Sequence, residues 1–171
     1  MDIKVDAVKR LEARRVAVDK FLEGERLVSD YKENTPVVDP LWDTGDGFLC
    51  YNDLDDEMVS SGLTLFVAPF EDVWGGLYDP SVYEGNTLWE NSHDSKKIAR
   101  VISHWLHNKS LSPMFLLKHS SKNAWLVADG KHRLTVAHYM NFKGDTPFLV
   151  KTEDENLVVL AIPAAVKVGK A

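Results

Sequence analysis

The sequence predicts an α/β (α+β) fold: one domain on a small sheet flanked by helices, with a further helix at the N-terminus. Three observations predict it. The 171 residues are 44% apolar and 27% charged, the composition of an ordinary globular domain with a core of its own. Short apolar runs punctuated by turn formers recur as "LTLFVAPF", "MFLLKH", "AWLVA" and "PFLVKT". Around them lie segments whose apolar residues return every three or four positions, the period of a helix face.

Residues 1–33 are the N-terminal helix. Val8, Leu11, Val18 and Leu22 share a face, interrupted by Arg15, and read as an amphipathic helix packed on the domain. Gly24 either breaks or weakens it. "KRLEARR" also suits a DNA-binding or dimer-forming helix, although eight acidic side chains balance eight basic ones here.

Residues 34–92 are a loop-rich acidic segment carrying one strand, residues 63–70, that ends at Pro69. Residues 34–95 hold thirteen Asp and Glu and no Lys or Arg, so this part of the chain repels phosphate and suits a solvated loop or a protein partner. Asp43, Asp46, Asp53, Asp55, Asp56 and Glu57 are candidate cation ligands, but their spacing does not follow the calcium-loop pattern.

Residues 93–165 form the core region. Ile98, Val101, Ile102, Trp105 and Leu106 lie on one helix face, with Asp94 or Ser95 as the cap and Pro113 beyond the end. Two strands follow, "MFLLKH" and "AWLVA", joined by "SSKN". A helix over 132–142 leads to the strand "PFLVKT". "NLVVLAI" reads as a last strand and "KVGKA" as a loose tail. Residues 96–171 carry twelve Lys and Arg against five acids, so this is the section that attracts phosphate.

"ADGKHRL", residues 128–134, joins the second of those strands to the helix. A helix starts with backbone N–H groups that no earlier carbonyl reaches, and with the positive end of its dipole. Gly130 lets a ligand approach the main chain, and Lys131, His132 and Arg133 add cationic donors at the same end. Arg133, in register with Val136, Ala137 and Met140, starts on the core side, where packing holds it. Asp129 works against an anion. It can cap the helix, orient His132 or Arg133, or accept a ribose hydroxyl. Two readings stand on these residues alone: a phosphate seat and a capped surface turn.

Other chemistry is thinner. His104 and His107 are three apart with His93 upstream, short of a zinc set, and no HExxH, P-loop or serine elbow occurs. Glu71 and Asp72 close a predicted strand, where a carboxylate could orient a nucleophile or hold Mg²⁺, and are candidate catalytic residues. Trp105 and Trp125 flank the signature elements and are candidates for a base pocket. Cys50 is the single cysteine, and "MDIKVDAVKRLEARR" lacks a secretory apolar stretch. The expectation is a cytoplasmic protein without a membrane span.

The segment from about residue 92 to 151 resembles the ParB/sulfiredoxin superfamily. The resemblance lies in the order of parts: the helix "KKIARVISHWL", two strands, the signature "DGKHRL", a helix, then "PFLVK". Gly130, His132 and Arg133 match the family's Gly-x-His-Arg set. The resemblance implies a small mixed sheet and a nucleotide at that helix N-terminus: ATP, ADP or CTP, held by Asp129, Gly130, Lys131, His132 and Arg133, with Mg²⁺. It also implies nucleotide hydrolysis in which Glu71, Asp72, His132 and Arg133 are the catalytic candidates. Nuclease action on DNA, and service to a plasmid or phage in DNA transfer or segregation, extend it. The alternative is a non-catalytic regulatory module whose acidic segment meets a protein partner. Two departures narrow the choice. Lys131 stands where sulfiredoxins carry their catalytic cysteine. Only about twenty residues follow Lys151, too few for the helix-turn-helix domain of partition proteins.

Overall fold

A computed structural model describes residues 3–45, 62–83, 85–90 and 94–170. The candidate ligands Asp46, Asp53, Asp55, Asp56 and Glu57, and also Cys50 and His93, lie outside the described residues. The architecture is α+β. Helix α1 (Ile3–Glu33) comes first, followed by strand β1 (Leu63–Pro69) and the short helix α2 (Phe70–Gly75). Helix α3 (Ser95–Leu106), strands β2 (Met114–Lys118) and β3 (Trp125–Asp129), and helix α4 (Lys131–Tyr139) form the middle. Strand β4 (Asp145–Lys151), a 3₁₀ turn (Thr152–Leu157), helix α5 (Val158–Ala161) and strand β5 (Val166–Lys170) complete it.

The five strands form one mixed sheet in the order β3-β2-β4-β1-β5. β2 and β4 run parallel and every other neighbouring pair is antiparallel. Alternation along the strands sorts side chains onto two faces. Phe66, Ala68, Met114, Leu116, Phe148 and Val150 belong to the larger core, and Phe66 stacks on its register partner Phe148 at 5.8 Å. Leu63, Leu65, Phe115 and Leu149 form a second cluster.

α3 covers the larger core as its periodicity predicts. Ile98, Val101, Ile102 and Trp105 are 0–8% exposed, while Leu106, at the rim of that stripe, stays exposed. Burying each of the four stabilises the fold by roughly 1.5–3 kcal/mol. Asp94 caps the helix, its Oδ1 accepting from the Lys96 N–H at 2.9 Å. The segment after α1 passes over the end of α3: Trp105 Nε1 donates to the Leu41 carbonyl at 3.0 Å and Trp42 meets Trp105 edge-on.

Three expectations change. "NLVVLAI" is a 3₁₀ turn running into α5 rather than a strand, and "KVGKA" is not loose. Val166–Lys170 pairs with β1 as an edge strand, because Thr64–Val67 still had an unpaired backbone side to satisfy. The third concerns α1. The helix runs straight through Gly24, where the missing side chain is what the packing needs: a Cβ there would meet Arg100 Nη2 at 3.0 Å and Lys96 Cβ at 3.1 Å. Leu27 is buried beside it, and Lys96 pairs with Glu25 at 2.6 Å. The face expected to pack on the domain does not: Val8, Leu11, Val18 and Leu22 are 54–66% exposed. The described helices include none long and apolar enough to cross a membrane.

Candidate functional site

The joint between β3 and α4 has the geometry its glycine requires. Gly130 sits at φ +96°, a left-handed conformation open to glycine at little cost, and turns the chain from strand to helix within one residue. The Leu134 N–H bonds to the Gly130 carbonyl at 2.9 Å and starts the helix. No side chain caps the N-terminus of α4. Asp129 therefore does not act as the cap. Its Oδ2 accepts from Arg133 Nη2 at 2.7 Å, across one helical turn. The pair is largely shielded, with 13% of the Arg133 side chain and 20% of the Asp129 side chain exposed.

Arg133 leans back toward the start of its helix, as helical side chains do. Its guanidinium lies so close over Gly130 that a Cβ there would meet Nη2 at 3.0 Å and Nε at 3.2 Å, with Met114 Cγ at 2.9 Å on the other side. Packing thus fixes Arg133 as its register predicts, and one edge of the guanidinium is already engaged by Asp129. An incoming anion competes with that carboxylate for the guanidinium.

A cleft of about 510 Å³ opens beside this joint. Its wall carries Lys20 from α1, Lys97 and Arg100 from α3, and Lys131, His132 and Arg133 from α4. Against these five Lys and Arg side chains stands one lining carboxylate, Asp129. Lys131 is exposed, while His132 and Arg133 are partly covered. Arg100 does two things. It lines the cleft, and its Nη2 donates to the Lys20 carbonyl at 2.7 Å, tying α1 to α3. Sequence reading missed Lys20, Lys97 and Arg100. Lys97 and Arg100 are three apart on α3 and flank its apolar stripe, which was a usable signal. Lys20 had none, because its place depends on α1 docking through Gly24. Among the described residues, a hollow of about 640 Å³ beside Val16, Lys20 and Leu22 is lined by α1.

Glu71 and Asp72 are not brought to the cleft. They lie exposed in the first turn of α2, where Glu71 pairs with Lys143. β4 and β2 separate β1 from β3, and Asp129 is level with Leu65, four residues before Pro69, so the two strand ends lie three strand spacings apart across the sheet (about 14 Å) and about 13 Å apart along it. α2 instead meets the far end of α4, where Trp74 stacks on His138 with ring centroids 4.0 Å apart. Burial there holds the His138 imidazole below its ordinary value. The two tryptophans considered for a base pocket are core residues: Trp125 is buried completely and Trp105 almost so. His107 Nδ1 lies 2.7 Å from the Ser103 carbonyl, and His119 Nδ1 accepts from the N–H groups of Ser121 and Lys122 in the β2–β3 turn. Burial, then the nearby Lys109 charge, lowers His104.

Mg²⁺ is implied by the resemblance, and the donor set of the cleft does not suit a resident ion. Hard cations want several oxygen ligands, and the one carboxylate here is shared with Arg133. Among the described residues no group of three or more His, Cys, Asp or Glu could hold a metal ion. The chain was compared with protein-family models, curated proteins and solved structures, and none matches.

Proposed function

We propose that this chain binds ATP or another nucleotide through its phosphates, in the manner of the ParB/sulfiredoxin type. The observation that carries the reading is convergence. Lys20, Lys97 and Arg100 arrive from two other helices at the mouth of α4, next to Lys131, His132 and Arg133. That mouth has no side-chain cap, and while Gly130 itself is buried, Lys131 is exposed and His132 and Arg133 are partly covered. The N–H groups of the first helical turn would take one phosphate, and Lys131 and Lys97 would neutralise its charge. Arg133 would pair with phosphate oxygens in competition with Asp129.

Calorimetry with ATP, ADP, CTP and pyrophosphate tests this. Binding is expected to weaken with salt. Lys97→Ala and Lys131→Ala should each lower affinity about tenfold or more, the worth of a hydrogen bond to a charged group at ~1.5–3 kcal/mol. Asp129→Asn should strengthen binding by relieving the competition for Arg133. Silence with all four ligands sinks the reading. Hydrolysis is the extension: a phosphate that draws Arg133 away leaves Asp129 as the carboxylate able to orient a water. Phosphate release at equal rates from wild type and Asp129→Asn would remove it.

One observation favours a second reading. Asp129 and Arg133 pair with each other within the chain, which suits a non-catalytic module whose acidic 34–95 segment contacts a protein. A nucleic-acid phosphate could occupy the same cations. Competition separates the two ligands, because free nucleotide displaces DNA from a shared cleft and the DNA complex carries the steeper salt dependence.

A further inference from the structure

We propose that α1 pairs with the α1 of a second copy of this chain, as a parallel two-stranded coiled coil over residues 8–22. Residues 8–23 are exposed on every side, and the body reaches this stretch at its C-terminal end, where Arg100 bonds to the Lys20 carbonyl and Lys96 Nζ lies over the Phe21 ring. An isolated helix of that length is marginal in water, and apolar burial against a partner is the usual remedy. Four of the six large apolar residues exposed in this stretch share one seam, while Val16 and Phe21 lie off it. Val8, Arg15 and Leu22 repeat every seven residues, and Leu11 and Val18 fall three beyond the first two of them. These are the a and d positions of a heptad, spanning about 21 Å of helix.

This seam points away from the body. The closest backbone approach to the body is at the Lys20 carbonyl, Gly24 and Leu27, on one side of the helix, and Lys96 reaches round to Phe21 and Glu25 just past the end of the seam. At 100° per residue, Val8, Leu11, Arg15, Val18 and Leu22 fall on the opposite side.

Charge chooses the occupant and the orientation. In this register Arg14 is a g position and Asp19 an e position. A parallel pair sets each Arg14 against the partner's Asp19. An antiparallel pair sets e against e and g against g, bringing together the like charges of Glu12 and Asp19 or of two Arg14 residues. The parallel pair also sets the two Arg15 side chains against each other at an a position, which limits register and strand number and costs affinity. Asp19 lies 4.0 Å from Arg15 within the same helix and offsets its charge. A second copy satisfies the seam by symmetry and this charge pattern by complementarity.

Sedimentation of the full chain across a concentration series tests the pairing. The expected mass rises from 19.3 kDa to twice that value. Leu11→Glu should abolish the rise, with tryptophan emission unchanged because no tryptophan lies in α1. Asp19→Arg should weaken the dimer, and Arg14→Asp added to it should restore it. Val18→Cys in a Cys50→Ser background should form a disulfide-linked dimer on oxidation, since parallel d positions face each other. A mass of 19.3 kDa at every concentration overturns the proposal, as does a dimer indifferent to Leu11→Glu. Failure of the charge swap to restore the dimer overturns the parallel pairing. A monomer whose α1 gains hydrogen-exchange protection only when duplex DNA is added overturns it in favour of a nucleic-acid partner.

Discussion

α3 and α1 both carry an apolar stripe at helical spacing, and the body treats them in opposite ways. The stripe of α3 is sealed against the sheet, while that of α1 faces water along its first two thirds. α1 meets the body through a different face, built from Gly24, Leu27 and the backbone at Lys20. The lesson is that periodicity reports the existence of an apolar face but not what covers it. The glycine that looks like a helix weakness is the point of closest approach, and α1 docks through Gly24, Leu27 and Tyr31 rather than through its Val8–Leu22 stripe.

The contrast can be broken most decisively by truncation in the two stripes. Ile102→Ala in α3 should cost about 2–5 kcal/mol, because it opens a cavity in a fully buried position. Leu11→Ala in α1 should move the unfolding midpoint by no more than ~0.5 kcal/mol. Urea titration followed by tryptophan emission measures both in the body, and equal losses would erase the distinction between the helices. Gly24→Val sharpens it from the other side. The new side chain must push against Lys96 and Arg100, and overpacking of this kind costs about 1–3 kcal/mol. Amide exchange should then show α1 detached while α3 and the sheet stay protected. Unchanged protection of α1 would mean that the helix is held elsewhere.

Smaller effects separate the two ends of α4. At its start, Asp129→Ala removes one partner of a shielded ion pair and should lower stability by about 1–3 kcal/mol, read from the same urea titration. At its end and on α3, burial keeps the His138 and His104 imidazoles below their ordinary value, so they favour the neutral form in the folded chain. The unfolded chain takes up protons first. The stability they contribute is complete above the ordinary histidine value of about 6.5, and is lost as pH falls below it toward their folded values. Thermal midpoints should therefore drop modestly from pH 7.5 to 5.5, and His138→Gln should flatten part of that slope. A midpoint that rises on acidification would contradict the burial of both rings.

Much of this was legible in the residues. The α+β class, β1 ending at Pro69, the Asp94 cap and the α3 stripe each follow from local chemistry that operates over a few positions. So does the turn at Gly130, because a strand that becomes a helix in one step needs a residue that tolerates positive φ. Half of the cleft was legible for the same reason: Asp129, Gly130, Lys131, His132 and Arg133 are consecutive. Three matters were decided only by the tertiary structure. Lys20, Lys97 and Arg100 join the cleft because α1 docks on α3 through a glycine, an event that no local window contains. Glu71 and Asp72 stand apart from it because two strands intervene, and strand order is a property of the whole sheet. Asp129 turned to Arg133 instead of capping because a guanidinium held one turn away competes better for a carboxylate than a neutral backbone N–H does. Contacts between near neighbours were written in the chain, and those between distant segments waited for packing to choose among faces of similar chemistry.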